Sequence, residues 1–337
     1  MPPEASASGE PVWLDRVTLG EIVEEAKRAP SPHNTQPARW RAHDDVVELV
    51  EEPARRLLAS DPSGRDHRLA LGAAWEGTRL ALGKRGLKLA DEIGAFVSDA
   101  GVVVRGRVVS GGTRDALVDA VGVRATWRGK LDAVDDAELM TLAKLLAREG
   151  ALVCTNKAVV EEAARTIDGA SVKALLLPRY LEELVDWTRF SRDHPSYDRD
   201  GMNLEALCLS PIEGALAKKL LKRATFGLLA KTGAAKLVVS EQAQTHSASA
   251  LVAITAENDE PDLVTGARLY RAWLTIAACK LSLCPMSVLT DDDVLNKKFA
   301  RAVGVASGRK LVHLWRLGRA PREVALAPRL PTQELVL

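Results

Sequence analysis

The sequence has no imbalance of charge, no cysteine pair at metal-ligand spacing and no long apolar run, and each absence removes a class of function. Lys and Arg number 46 against 45 Asp and Glu, a formal net charge of +1, so no global field draws the chain toward nucleic acid or anionic lipid. The four cysteines, Cys154, Cys208, Cys279 and Cys284, form no C-x-x-C pair. Reduced, mostly buried thiols and no metal site follow. No apolar stretch approaches the roughly 20 residues that span a bilayer. Met1 to Pro11 has neither the basic start nor the apolar stretch of a signal peptide. The expectation is a cytoplasmic protein with no nucleic-acid and no membrane partner. A G-x-S-x-G nucleophile elbow is missing. Gly77 to Lys84 has one residue too many for a phosphate loop and Arg85 in place of the hydroxyl. The six histidines are scattered, which leaves no visible triad or metal cluster.

What is present is a globular composition, 47% hydrophobic and 27% charged over 337 residues, enough for two ordinary domains or one large one. Thr18-Leu19-Gly20-Glu21 reads as a capping box opening a helix that Pro30 stops. Arg39 to His43 and Val46 to Val50 read as a hairpin, Asp66 to Arg85 as a buried helix ended by Gly86, and Val102 to Val109 as a strand. After the break at Gly111-Gly112, Asp135 caps a helix ending near Gly150. Val172 to Trp187 and Glu213 to Lys231 read as single amphipathic helices, the latter a packed lid or surface helix. Leu251 to Thr255 and Lys310 to Leu317 read as strands, and Asp262 to Leu283 as one long helix. Ala73 to Leu82 weakly parallels Leu269 to Ala278, a hint of internal duplication.

Three segments carry candidate chemistry. Val123 to Gly129 offers Arg124, Thr126 and Arg128 at alternate positions, and extension places the three side chains on one side. Arginine forks suit phosphate oxygens, although a solvated polar turn would look the same. Ser31-Pro32-His33-Asn34-Thr35-Gln36-Pro37 sets polar groups on a backbone restricted by two prolines, as a plain helix-terminating loop also would. Arg329 stands between Pro328 and Pro331, and alone it would be a tail residue.

Together these segments resemble the nitroreductase superfamily. Arg124, Thr126 and Arg128 are similar to its Arg-x-Ser-x-Arg/Lys segment for the phosphate, ribityl chain and pyrimidine edge of FMN. Ser31, Pro32, His33, Asn34 and Gln36 resemble its Asn-x-Gln-Pro loop, with Ala38 where Trp is usual. Trp273 through Val288 resembles the helix and turn whose backbone faces the flavin, with Pro285, Met286, Ser287 and Val288 in the turn. Arg329-Leu330-Pro331 is similar to a late phosphate-binding segment. The Asn-bearing loop precedes the basic segment here, an order resembling the Acg-like FMN-binding branch. Asp61 to Arg65, Trp187-Thr188-Arg189 and Asp200-Gly201-Met202 also fit that branch.

The resemblance implies an α+β, nitroreductase-like fold of two related halves, each a mainly antiparallel sheet flanked by helices, forming a pseudo-dimer. Its parts would be a flexible N-terminal tail over 1–16, a first half over 17–112 and a second half over 113–337, with a lid-like insertion around 190–233. It implies one FMN per chain in a cleft between the halves, with NADH or NADPH as reductant and a small-molecule substrate. Chemistry is expected at the flavin, with no catalytic side chain assigned. Fusion allows a monomer and leaves a homodimer open. A different reading is an FMN-sequestering protein without ordinary NAD(P)H turnover, because Ser191 to Asp200 is long, polar and irregular, as a lid would be. A third keeps the fold and loses the cofactor, since Ala38, Thr126 and Ser287 depart from the family pattern.

Overall fold

The structure, a computed structural model, describes residues 9–94 and 101–337. In chain order the elements are α1 (Arg16–Ala26), β1 (Ala38–His43), β2 (Val46–Glu51), α2 (Arg65–Gly83), β3 (Leu87–Gly94), β4 (Val102–Ser110), α3 (Asp136–Leu146), β5 (Ala151–Cys154) and α4 (Lys157–Leu175). They continue as α5 (Tyr180–Asp186), β6 (Thr188–Arg189), β7 (Met202–Asn203), α6 (Leu204–Leu207), α7 (Pro211–Leu220), α8 (Arg223–Lys231), α9 (Ala235–Val238) and α10 (Gln242–His246). The last are β8 (Ala250–Glu257), α11 (Asp262–Ala278), β9 (Ser282–Pro285), α12 (Val288–Asp291), α13 (Asp293–Ala302) and β10 (Arg309–Gly318). The fold class is α+β. Two compact units divide the chain, one holding residues up to Val123 with Pro261–Leu274 and Arg329–Leu337, the other holding Arg124–Glu260 and Thr275–Pro328. These units are not continuous stretches, unlike the expected halves over 17–112 and 113–337.

The first unit is built on an antiparallel sheet of order β1-β2-β4-β3. Asp15, not Thr18, caps α1: its carboxylate accepts from the Thr18 N–H at 2.7 Å. A charged acceptor at a helix N-terminus gains from the macrodipole as well as from the hydrogen bond. Of the tail expected over 1–16, residues 1–8 lie outside the described residues. Glu10 and Val12 pair with β4, through Ser110 N–H to Glu10 O at 2.9 Å and Val12 N–H to Val108 O at 2.9 Å. The C-terminus runs beside β1, where Trp40 N–H donates to Leu335 O and Leu337 N–H to Trp40 O, each at 2.8 Å.

Helices α2 and α11 meet at backbone contact. A Cβ on Gly72 would stand 2.1 Å from Leu263 O, and one on Gly266 would stand 2.1 Å from Leu69 O. Each helix carries Leu-x-x-Gly-Ala at this point, and each glycine meets the other helix's leucine, the reciprocity of a two-fold contact. Leu69 and Gly72 therefore match Leu263 and Gly266, a register two residues away from the alignment of Ala73 with Leu269 that sequence alone suggests. Arg68 closes one side of the crossing, its Nη2 lying 2.7 Å from Asp262.

The second unit is built on an antiparallel sheet of order β5-β8-β10-β9. Asp135 caps α3 as expected, with Glu138 N–H donating at 2.8 Å, and Gly150 closes its end at φ 66°. Three helices differ from the sequence reading. Val172 to Trp187 is the end of α4 and then α5, broken by Pro178 and by Arg179 at φ 64°. Glu213 to Lys231 is α7 and α8, which part at Leu221 and Lys222. Helix α11 ends at Ala278, not Leu283, because Lys280 turns at φ 57° and Ser282–Pro285 pairs with β10. Phe226, Leu175, Leu181 and Ala235 form a small core between α4, α5, α8 and α9. Among the described residues no helix is long and apolar enough to cross a membrane, and no group of three or more His, Cys, Asp or Glu side chains could hold a metal.

Candidate cofactor site

The basic segment lies along β9. Thr126 bridges Leu283 in parallel, and Trp127 N–H donates to Leu283 O at 3.0 Å. Trp127 is buried, and its indole N–H donates to Lys130 O at 2.7 Å. Fixing this ring inward leaves Thr126 and Arg128, its neighbours in an extended chain, on the opposite side. Arg124 is buried. Arg128 donates from Nη1 to Ala206 O at 2.7 Å and meets Met202 Sδ at 3.5 Å through Nη2. The insertion thus touches the basic segment through β7 and α6.

That insertion is closed at its base. Thr188 and Arg189 pair in parallel with Met202 and Asn203, and Arg189 Nη2 bonds Asp200 at 2.7 Å, both side chains buried. Tyr197 donates to Glu205, which also takes a bond from Arg192 at 2.6 Å. Burial and the neighbouring carboxylate push the Tyr197 hydroxyl up to about 12.

Arg316, which sequence reading passed over, organises the other side of the segment. It is fully buried on β10, opposite Cys284 of β9. Its Nη1 bonds Glu241 and lies 3.3 Å from Thr245 Oγ1, while Nη2 donates to Arg128 O at 2.9 Å. Burial pushes the Cys284 thiol up. A clue exists in sequence: Leu314 and Arg316 share a strand face, and a lone arginine among Leu314, Trp315 and Leu317 has no solvent side to occupy.

Of the turn expected to face the flavin, Met286 packs into the core with Leu289, Phe299 and Leu314, and Val288 packs against that core. Met286 N–H is taken by Leu314 O at 2.9 Å. Pro285 and Ser287 are half-buried.

In the first unit, Pro32–Asn34 forms a short 3-10 turn; within it His33 and Asn34 have φ of 48° and 57°, and Gln36 just beyond it has φ of 52°. Left-handed backbone at residues other than glycine costs on the order of 1 kcal/mol each, and side chains hold it in place. Ser31 Oγ accepts from Gln36 N–H at 2.9 Å, and Gln36 Oε1 accepts from Leu330 N–H at 2.8 Å. Arg329 donates to Asn34 Oδ1 at 2.8 Å, to Lys27 O at 2.7 Å, and to Arg28 O at 3.0 Å. Its guanidinium therefore sits on carbonyls at the C-terminal end of α1, where a cation is favoured. The structure gathers Ser31, Asn34, Gln36 and Arg329, and separately lays Thr126 along β9, which ends at Pro285, while Met286 and Val288 turn to the core.

The donor chemistry in the second unit fits FMN: Arg124 and Arg128 supply forked cations, Thr126 a hydroxyl, and Val123 to Gly129 contains no carboxylate.

No family model matches the chain. Over 72 residues, 21% of each chain, it is 40% identical to Rv3131 of Mycobacterium tuberculosis H37Rv, named as a candidate NAD(P)H nitroreductase. Over 68 residues, 20% of each chain, it is 45% identical to acg of the same strain, named likewise. The matched stretches thus cover 21% and 20% of those curated relatives. Among solved structures, a nitroreductase with bound FMN from Bacteroides fragilis is 14% identical, with 63% of this chain and 91% of that one covered and a TM-score of 0.34. The FMN-dependent nitroreductase NfnB from Mycobacterium smegmatis in complex with NADPH is 18% identical, with 60% and 85% covered and a TM-score of 0.32. Superposition this loose assigns neither residue nor activity.

Proposed function

We propose that the chain is an FMN-dependent oxidoreductase that passes hydride or electrons between the flavin and a small organic substrate, with NADH or NADPH as reductant. The observation that carries this reading is the basic segment itself: two arginines and a threonine without a carboxylate among them, laid along β9 and fixed from behind by Trp127 and Arg316. Bound FMN supplies the redox chemistry. The chain's own residues bind and orient it. Arg124 neutralises phosphate, Thr126 donates to the ribityl chain or phosphate, and Arg128 places positive charge at the pyrimidine edge, which favours negative charge there. The sequence relatives named as nitroreductases support the same reading. The Asn34 loop belongs to the proposal as the further segment that the family resemblance marks, and Arg329, which the resemblance also marks, bonds Asn34 and the end of α1.

A second reading has its own observation. Arg128 is engaged by Ala206 and Met202 of the insertion, the contact expected of a lid that keeps reductant out. In that case the chain sequesters FMN. Anaerobic mixing of the yellow protein with NADH and NADPH separates the two: bleaching on the timescale of seconds supports the oxidoreductase. Colour that persists until dithionite is added supports sequestration. A purified protein that neither carries nor binds FMN removes both.

A further inference from the structure

We infer that Arg316 is a positioning residue for the cofactor segment, holding the Arg128 backbone so that Arg124, Thr126 and Arg128 present a fixed set of donors; this rests on the FMN reading above. Arg316 is fully buried on a strand paired on both sides. Arginine is among the residues least often buried completely. Its compensation is incomplete: Glu241, Thr245 and the Arg128 carbonyl take the two terminal nitrogens, and Nε has no hydrogen-bond partner among the described residues.

The other sheet shows what stability alone selects at this position. Counting inward from the first pair of each two-strand ladder, Leu87 with Ser110 and Ser282 with Gly318, two residues along brings Leu89 opposite Val108 and Cys284 opposite Arg316. Val108 is as fully buried as Arg316. A sheet of the same order thus accepts a plain apolar side chain there. Replacing a buried charge with a well-packed apolar residue is often neutral or stabilising when its partner is not stranded, and the Glu241 side chain is 40% exposed, so its carboxylate is left to water. The arginine's distinguishing contact is its bond to the Arg128 carbonyl, which an apolar residue cannot make. Thr126, two residues before that carbonyl, is held on β9, so the segment is fixed at both points.

The test is FMN titration by flavin fluorescence, run beside thermal melting of the flavin-free protein. Arg316→Met is expected to melt at or above the wild-type temperature while its Kd for FMN rises about tenfold or more. A merely structural arginine would lower the melting temperature and the affinity together. Arg316→Met combined with Arg128→Ala is expected to lose less than the sum of the two single losses, because one residue acts through the other. Arg316→Lys keeps the charge beside Glu241 but cannot fork to the carbonyl, and is expected to bind FMN with intermediate affinity. Wild-type affinity in Arg316→Met, or fully additive losses, would overturn the inference. If Arg316→Met does not fold, Arg316→Lys decides: unchanged affinity counts against the role. A wild-type protein that binds no FMN ends the functional reading and this inference with it, whereas a wild-type that binds beside an indifferent Arg316→Met ends this inference alone.

Discussion

The two sheets share one topology and use it differently. Each runs helix, strand, strand, helix, strand, strand, from α1 through β4 and from α3 through β10, and each has its strands in the order first, second, fourth, third. In the first, two residues, Asp44 and Asp45, join the leading strands. In the second, everything from α4 to α10 lies between them, and α12 with α13 separates the trailing pair. The first carries beside its core the strained Ser31 to Gln36 loop bonded to Arg329 and Leu330. Arg316 and the insertion belong to the second, as does the basic segment. A shared topology can hold the same frame in both sheets while each carries different polar features.

The predictions test that contrast. The largest effect is expected where the two matched helices cross: Gly72→Ala or Gly266→Ala would force a methyl against a backbone oxygen 2.1 Å away, and each should cost about 3 kcal/mol in urea unfolding. Equal losses sharpen the equivalence of α2 and α11; a loss at only one glycine breaks it. Next, the arginines that sequence groups together should separate. Arg329→Ala removes a guanidinium bonded to the end of α1 and to Asn34, and should lower stability by about 2 kcal/mol. Arg124→Ala should lower FMN affinity by about 1 to 3 kcal/mol in equilibrium titration. Exchanged phenotypes would reverse the roles. Third, since only the second half carries an Arg-x-Thr-x-Arg segment, denaturation should release one flavin per chain. Two per chain would make the halves functionally alike.

The smallest effect concerns acid. For Glu205, burial pushes the carboxyl up, but bonds from Tyr197 and Arg192 outweigh it and the net shift is below the usual 4.5. A carboxylate lowered in the fold contributes stability above its ordinary value and loses it as pH falls through the folded one. Tyr197, raised from 10.0 to about 12, contributes below 10 and loses that contribution as pH rises through 12. Proteolysis of 191–200 should therefore hold a constant rate from pH 5.5 to pH 9, after correction for protease activity, and quicken below about pH 4.5.

Much of the frame was legible. Short strand-like runs marked β1, β2, β4, β8 and β10, and Asp135 and Gly150 bounded α3 because caps act locally. Helix breaks at Arg179, Leu221 and Lys280 were not, since the apolar spacing continues through them and tertiary packing decides where the chain turns. The basic segment was visible by its own spacing. Arg316 was not singled out, because its ion-pair partner Glu241 lies 75 residues away and no local pattern joins them. Arg329 was visible as a motif, but its bonds to α1 carbonyls required the fold.

The closure of the insertion at its base bears on covalent continuity. Ser191 to Pro195 is exposed, while Thr188, Arg189, Asp200, Met202 and Asn203 bind one another on either side of it. A chain cut within that loop would keep both new ends docked, by the pairing of Thr188–Arg189 with Met202–Asn203 and by the Arg189–Asp200 bond. The nick would then stay silent, with the two fragments travelling as one particle until a denaturant parts them.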